Sequence, residues 1–129
     1  MKPLFVAIGG ILGVFSRYYM GPWVGRFLLP PFPYGTFVIN ILGAFLIGLV
    51  YVLADERALM SPEVRTGIMV GFLGGYTTFS SFCLEGIRLI EDSEYWFAAL
   101  YVIGSPVAGL LATAAGILLG RLWIGGSVA

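Results

Sequence analysis

Gly71-Phe72-Leu73-Gly74-Gly75-Tyr76-Thr77-Thr78-Phe79-Ser80-Ser81-Phe82 is the stretch that decides how this chain folds. It lies inside a charge-free run, residues 66–84, yet it sets two adjacent glycines and the hydroxyls of Thr77, Thr78, Ser80 and Ser81 where apolar side chains belong. A continuous transmembrane helix gains nothing from a diglycine at mid-span. A broken helix does, because unwinding frees backbone amides and carbonyls that can bind ions, and such backbone is tolerated in a membrane where protein or water covers it. The diglycine and the hydroxyl run together predict two half-helices, broken near mid-span.

The rest of the chain supplies the membrane context. Of its 129 residues, 59% are hydrophobic and 11% are charged, and the mean hydropathy is +0.96. A soluble domain of this size would need more polar surface. Charge-free runs also occupy residues 3–16, 27–54 and 95–120. A helix crosses the hydrocarbon core with about 20 apolar residues. Three of the four runs reach that length; the first does so once Arg17 is placed at a membrane end or against protein or water. The expected spans are residues 3–19, 35–54, 64–90 and 95–123, forming one all-α domain over 1–129. A break at Gly21, Pro22 and Gly25 should follow the first span. Ser61-Pro62-Glu63 reads as an N-cap and first turn for the third.

A cleaved signal peptide fits the first run poorly. Its n-region is Lys2 alone, and glycines and Arg17 interrupt the apolar stretch. The single Cys83 excludes an internal disulfide. Seven basic and seven acidic residues give a net charge of zero with no basic cluster, so a nucleic-acid role has no electrostatic footing.

With four spans, Lys2, Arg57, Arg65 and Arg121 share one side of the membrane, while Arg17, Arg26 and Arg88 fall to the other. Orientation follows the Lys/Arg imbalance of short loops. Four against three leaves both a single topology and a dual topology with antiparallel pairing open. Small residues at helical spacing call for tight helix contacts, within one subunit or between two: Gly9 and Gly13; Gly67, Gly71 and Gly75; Ala108, Ala112, Gly116 and Gly120.

Polar side chains inside spans face protein or a water-filled path, since leaving them in lipid is costly. Thr36 and Asn40 lie four apart on one helix face, as do Tyr101 and Ser105. Phe79 and Phe82 flank Ser80 and Ser81, and a phenyl edge is electropositive, so it can face an anion without carrying charge. Glu85 follows on the same half-span; it reads equally as a helix-end carboxylate or as a pathway residue. Arg17 either anchors at headgroups or supplies positive potential to an aqueous mouth. There is no His, no cluster of metal-ligating side chains, and no acid, base and nucleophile constellation. These residues point to a passive path for a small ion rather than to an enzyme, and composition does not name the ion.

The motifs do. Gly35-Thr36-Phe37-Val38-Ile39-Asn40-Ile41-Leu42-Gly43 and the Gly71-to-Phe82 stretch closely resemble the Fluc (CrcB-like) fluoride channel family, and residues 9–18, with Arg17, and the Tyr101 and Ser105 pair fit it too. The resemblance covers all four spans. It implies an antiparallel, dual-topology homodimer with two pores in the cell inner (plasma) membrane, passively and selectively exporting fluoride and so giving fluoride resistance. By motif position it makes Phe79 and Phe82 the pore phenylalanines and Asn40 the pore asparagine. Thr36, Ser80, Ser81, Tyr101 and Ser105 become the polar track and vestibules, and Arg17 the basic residue near the first-span vestibule. The backbone carbonyls of Gly74 and Thr77, from both subunits, would hold a structural sodium ion at the dimer interface. Glu85 matches a family carboxylate whose role stays open. The sequence departs at Ser81, where many members have threonine, and at Pro106, which follows Ser105 directly. The alternative is a small dual-topology, proton-coupled multidrug exporter. Such transporters need a carboxylate in the first span, and residues 3–20 hold none.

Overall fold

A computed structural model describes residues 1–125; residues 126–129 of the expected single domain lie outside the described residues. Among those described, the chain is all-helical. Four helical segments are long and apolar enough to cross a membrane: Lys2–Gly25, Tyr34–Glu56, Pro62–Glu91 and Tyr95–Gly125. We name the elements α1 (Lys2–Gly25), α2 (Tyr34–Tyr51, continued by a π-helical turn at Val52–Glu56), α3 (Pro62–Thr66, continued by a π-helical stretch at Gly67–Leu73), α4 (Gly74–Tyr76), α5 (Phe79–Glu91) and α6 (Tyr95–Gly125).

One expectation needs correction. The first span does not stop at Tyr19: α1 runs through Gly21 and Pro22 and ends at Gly25, the last residue of the expected break. Pro22 lacks the N–H that would meet the Tyr18 carbonyl, so the last turn of α1 is held by one ladder bond fewer. Gly21 is instead a packing residue: a Cβ built on Gly35 would lie 2.9 Å from the Gly21 carbonyl oxygen, so α1 and α2 nearly touch there. The third span is broken near mid-span, as expected, and the break falls just after the diglycine. Gly74 and Gly75 are helical, and the chain turns extended at Thr77 (φ −77°, ψ 156°) and Thr78 (φ −146°, ψ 114°). Gly75 serves close approach, since an added Cβ would stand 2.9 Å from the Gly10 carbonyl oxygen of α1.

The small-residue stripes left open above mostly pack within the subunit. A methyl on Gly9 would overlap the Gly67 carbonyl, one on Gly13 the Phe72 carbonyl, and one on Gly71 would reach 2.7 Å from the Val6 carbonyl oxygen. Thus α1 lies backbone to backbone on the π-helical stretch. On the other side of the bundle, Gly48 and Gly116 bring α2 and α6 together, against the carbonyls of Thr113 and Phe45. Without a hydrophobic drive between helices in lipid, such backbone proximity and its dispersion contacts hold the bundle. Ala108 and Ala112 remain only partly covered.

Ion pairs tie the loop end of α2 to its neighbours. Arg65 donates to Asp55 (3.0 Å) and Arg121 to Glu56 (3.0 Å), so these four charges gather at one end of the bundle. The outward faces of α1 and α6 are apolar and exposed, among them Ile8, Ile11, Phe15, Ile103, Leu110 and Leu118. A surface of this kind is stable against lipid tails and not against water. The protein is therefore a multi-pass membrane protein.

Candidate functional site

The helix break organises the site. At Thr77-Thr78 the helical ladder stops, and each freed backbone group needs a partner. Asn40 supplies two of them from α2: its Oδ1 accepts from the Thr78 N–H (2.8 Å) and its Nδ2 donates to the Thr78 carbonyl (2.9 Å). Arg17, from α1, donates to the Thr77 carbonyl (3.3 Å). The Thr77 hydroxyl donates back to the Leu73 carbonyl (2.9 Å), closing the first half-span. The Thr78 hydroxyl starts the second as its N-cap, accepting from the Ser81 N–H and donating to the Ser81 hydroxyl oxygen (3.0 Å). Three helices thus converge on two residues, and the asparagine reproduces with one side chain what a β-ladder neighbour would offer.

Beside the break lies a groove of about 490 Å³. Its wall includes Asn40, Gly74, Thr77, Phe79, Phe82 and Ser105. Phe79 and Phe82 stand 5.9 Å apart between ring centres, tilted by 34°. Phe79 is 77% exposed, Phe82 partly buried. The Ser105 hydroxyl is buried, with the residue 8% exposed, and has no hydrogen-bond partner among the described residues. A buried donor in that state is costly unless a ligand or water completes it. Asn40 also keeps capacity, because an amide nitrogen carries two hydrogens and Thr78 takes one. Pro106 lines the same groove without ending α6, which continues to Gly125.

A second cluster adjoins the first across Phe82. Glu85 accepts from the Thr36 hydroxyl at Oε1 and from the Tyr101 hydroxyl at Oε2, both at 2.7 Å. Tyr101 is fully buried, and its ring meets Phe82 edge to face with centres 5.0 Å apart. Phe32, from the loop before α2, packs on Tyr101 in turn (5.3 Å). Sequence spacing placed Thr36 with Asn40 and Tyr101 with Ser105; the structure splits both pairs between the two clusters. Helix faces are broad, and one turn of displacement decides which neighbour a side chain meets. Ser80 joins neither cluster and is exposed, while Ser81 is spent on the N-cap with its own hydroxyl hydrogen still free to donate.

Two residues that sequence reasoning overlooked also take part. Thr78 holds the break, and only its place within the hydroxyl run pointed to it. Thr113 lines the groove and donates to the Ala44 carbonyl (2.9 Å), fastening α6 to α2; nothing local in its sequence marks it.

A hard cation at the break would need oxygen donors. The Gly74 carbonyl is a candidate, since the Thr78 N–H that would meet it in a continuous helix goes to Asn40 instead. A Cβ built on Gly74 would meet no atom nearer than 4.0 Å, so that backbone stands open, and both Gly74 and Thr77 line the groove. Neutral carbonyl donors suit an alkali ion better than a transition metal. Among the described residues no group of three or more His, Cys, Asp or Glu side chains could hold a metal. The donor set therefore fits a hard alkali cation, with the Thr77 carbonyl already shared with Arg17 through one of its two lone pairs.

The chain is similar to known proteins over most of its length. Residues 4–117 match the family model described as CrcB-like protein, Camphor Resistance (CrcB). The chain is 46% identical over 118 residues to the "Fluoride-specific ion channel FluC" of Geotalea uraniireducens (strain Rf4), covering 92% of this chain and 95% of that protein. It is 46% identical over 121 residues to the protein of the same name from Trichormus variabilis (93% and 88% covered). For that of Hydrogenobaculum sp. (strain Y04AAS1) the identity is 45% over 122 residues (95% and 99%).

Proposed function

The chain belongs to the CrcB-like family, and from that premise we propose that it is a passive fluoride channel; it is not an enzyme. The observation that carries the reading is the groove at the break, where Phe79, Phe82, Asn40 and the unpartnered Ser105 hydroxyl meet. Fluoride is small and holds its hydration shell tightly. A path for it must replace water with donors of comparable strength while offering larger anions poor contacts. Neutral hydroxyls, an amide N–H and phenyl edges meet that need, because each presents positive charge without trapping the ion in a fixed ion pair. The Glu85 cluster has a separate part: its two hydroxyl donors satisfy the carboxylate and so keep its charge from facing the groove unscreened.

The functional unit in this reading is an antiparallel, dual-topology homodimer. Exposure of Phe79 and of the groove supports a second copy as their cover, and the near-even distribution of basic residues supports insertion both ways. Two-fold symmetry repeats each surface, so the dimer holds two equivalent pores. The carbonyls of Gly74 and Thr77 from both subunits would hold a sodium ion where the breaks cross, and that ion would neutralise the carbonyl dipoles there. In the inner membrane the channel lets cytoplasmic fluoride leave down its gradient, which gives fluoride resistance. Purified protein in liposomes tests the reading: fluoride should pass, chloride should not, and Phe79→Ile should abolish the flux while the protein stays folded and dimeric. Equal fluoride flux through Phe79→Ile would remove the groove from the pathway.

A further inference from the structure

Arg17 is the site residue whose environment departs most from a role at an aqueous mouth. It is the sixteenth residue of α1, and eight residues remain to Gly25, roughly 12 Å at 1.5 Å per residue. It therefore sits within the span, half-buried. A guanidinium at that depth needs a partner. Neither ion pair found among the described residues includes it. Its partner is the Thr77 carbonyl, 3.3 Å away. In an unbroken helix that carbonyl would accept from the Ser81 N–H, which here goes to the Thr78 hydroxyl instead. The half-span 62–76 ends at this point, and a helix C-terminus carries unsatisfied carbonyls and the negative end of the dipole. A cation is what such an end lacks, and a carbonyl cluster is what a buried guanidinium lacks.

We infer that Arg17 is a built-in cation that caps the broken third helix from within the same subunit. It is a positioning residue: it acts on Phe79 and Asn40 through the backbone of Thr77 and Thr78.

Hydrogen exchange read by mass spectrometry on the detergent-solubilised full chain tests the cap, in sodium-free buffer with N-methylglucamine as the cation. Arg17→Met should speed exchange across residues 74–82 at least tenfold and leave α6 unchanged, while Arg17→Lys stays close to the parent. Arg17→Gln, which keeps an N–H donor but no charge, should fall between and serves if the Met variant expresses poorly. Exchange in Arg17→Met or Arg17→Gln equal to the parent overturns the inference. So does equal acceleration in Arg17→Lys and Arg17→Met, which would make side-chain shape rather than charge the cause.

Discussion

Asn40 grips the backbone of Thr78 at both ends: its Oδ1 accepts from the Thr78 N–H at 2.8 Å and its Nδ2 donates to the Thr78 carbonyl at 2.9 Å. No other side chain of α2 touches the break so fully, and the pairing holds the extended residues that aim Phe79 and Phe82 at the groove. Asn40→Asp keeps the acceptor and loses the donor, setting a carboxylate oxygen against the Thr78 carbonyl. An unsatisfied buried group of this kind costs about 1–3 kcal/mol, and a charged one more. Fluoride flux should fall roughly 10-fold or more, measured by electrode on reconstituted protein. Asn40→Ala should lower thermal stability as well, because both backbone groups lose their partner.

Phe79 separates function from folding. Being 77% exposed in the subunit, it contributes little to subunit packing, and exposed substitutions usually change stability by no more than about 0.5 kcal/mol. Phe79→Ile should leave the circular-dichroism spectrum of the protein unchanged and reduce fluoride flux at least tenfold. Unaltered flux would place the pathway elsewhere.

Two glycines of similar appearance should respond in opposite ways. A methyl at Gly13 overlaps the Phe72 carbonyl, whereas one at Gly74 meets nothing closer than 4.0 Å within the subunit. Gly13→Ala must push α1 off the third span and should destabilise by about 1–3 kcal/mol or more. Gly74→Ala should leave the subunit fold intact and, on the dimer reading, weaken association instead. Folding yield in detergent and cross-linked dimer fraction distinguish the two.

The Glu85 cluster predicts a pattern of coupling. Thr36 and Tyr101 each give one hydroxyl to a different carboxylate oxygen, so Thr36→Val and Tyr101→Phe each leave one oxygen bare. Both variants should lose stability by about 1–3 kcal/mol. In the Glu85→Gln background each should cost less, because a neutral amide requires less solvation than a carboxylate. Additive losses in a double-mutant cycle would contradict the shared anchor.

The number of spans and the fact of a break were legible because both are written in local composition. Charge-free runs of the right length can only be membrane helices, and hydroxyls crowded at mid-span have to be covered. The position of the break was not legible. Gly74-Gly75 resembled a hinge, yet glycine in a membrane helix also serves close approach, and only the position of Gly10 on α1 shows which use applies. The π-helical stretch at Gly67–Leu73 leaves no mark in the residue pattern, since it follows from how α1 packs against it. Phe79, Phe82 and Asn40 stand out by type and spacing, and all three line the groove. Thr36 and Tyr101 were found as well, but their meeting at Glu85 depends on contacts 49 and 16 residues apart in the chain. Arg17 reads from sequence as either a headgroup anchor or a charge at an aqueous mouth; the structure sets it on the Thr77 carbonyl.

The central claim is passive fluoride conduction, and efflux from proteoliposomes tests it most directly. Liposomes loaded with potassium fluoride, at equal pH on both sides, should release fluoride to an electrode when valinomycin lets potassium follow, and retain it without valinomycin. Release no faster than from protein-free liposomes, or release that requires a proton gradient, would contradict the account.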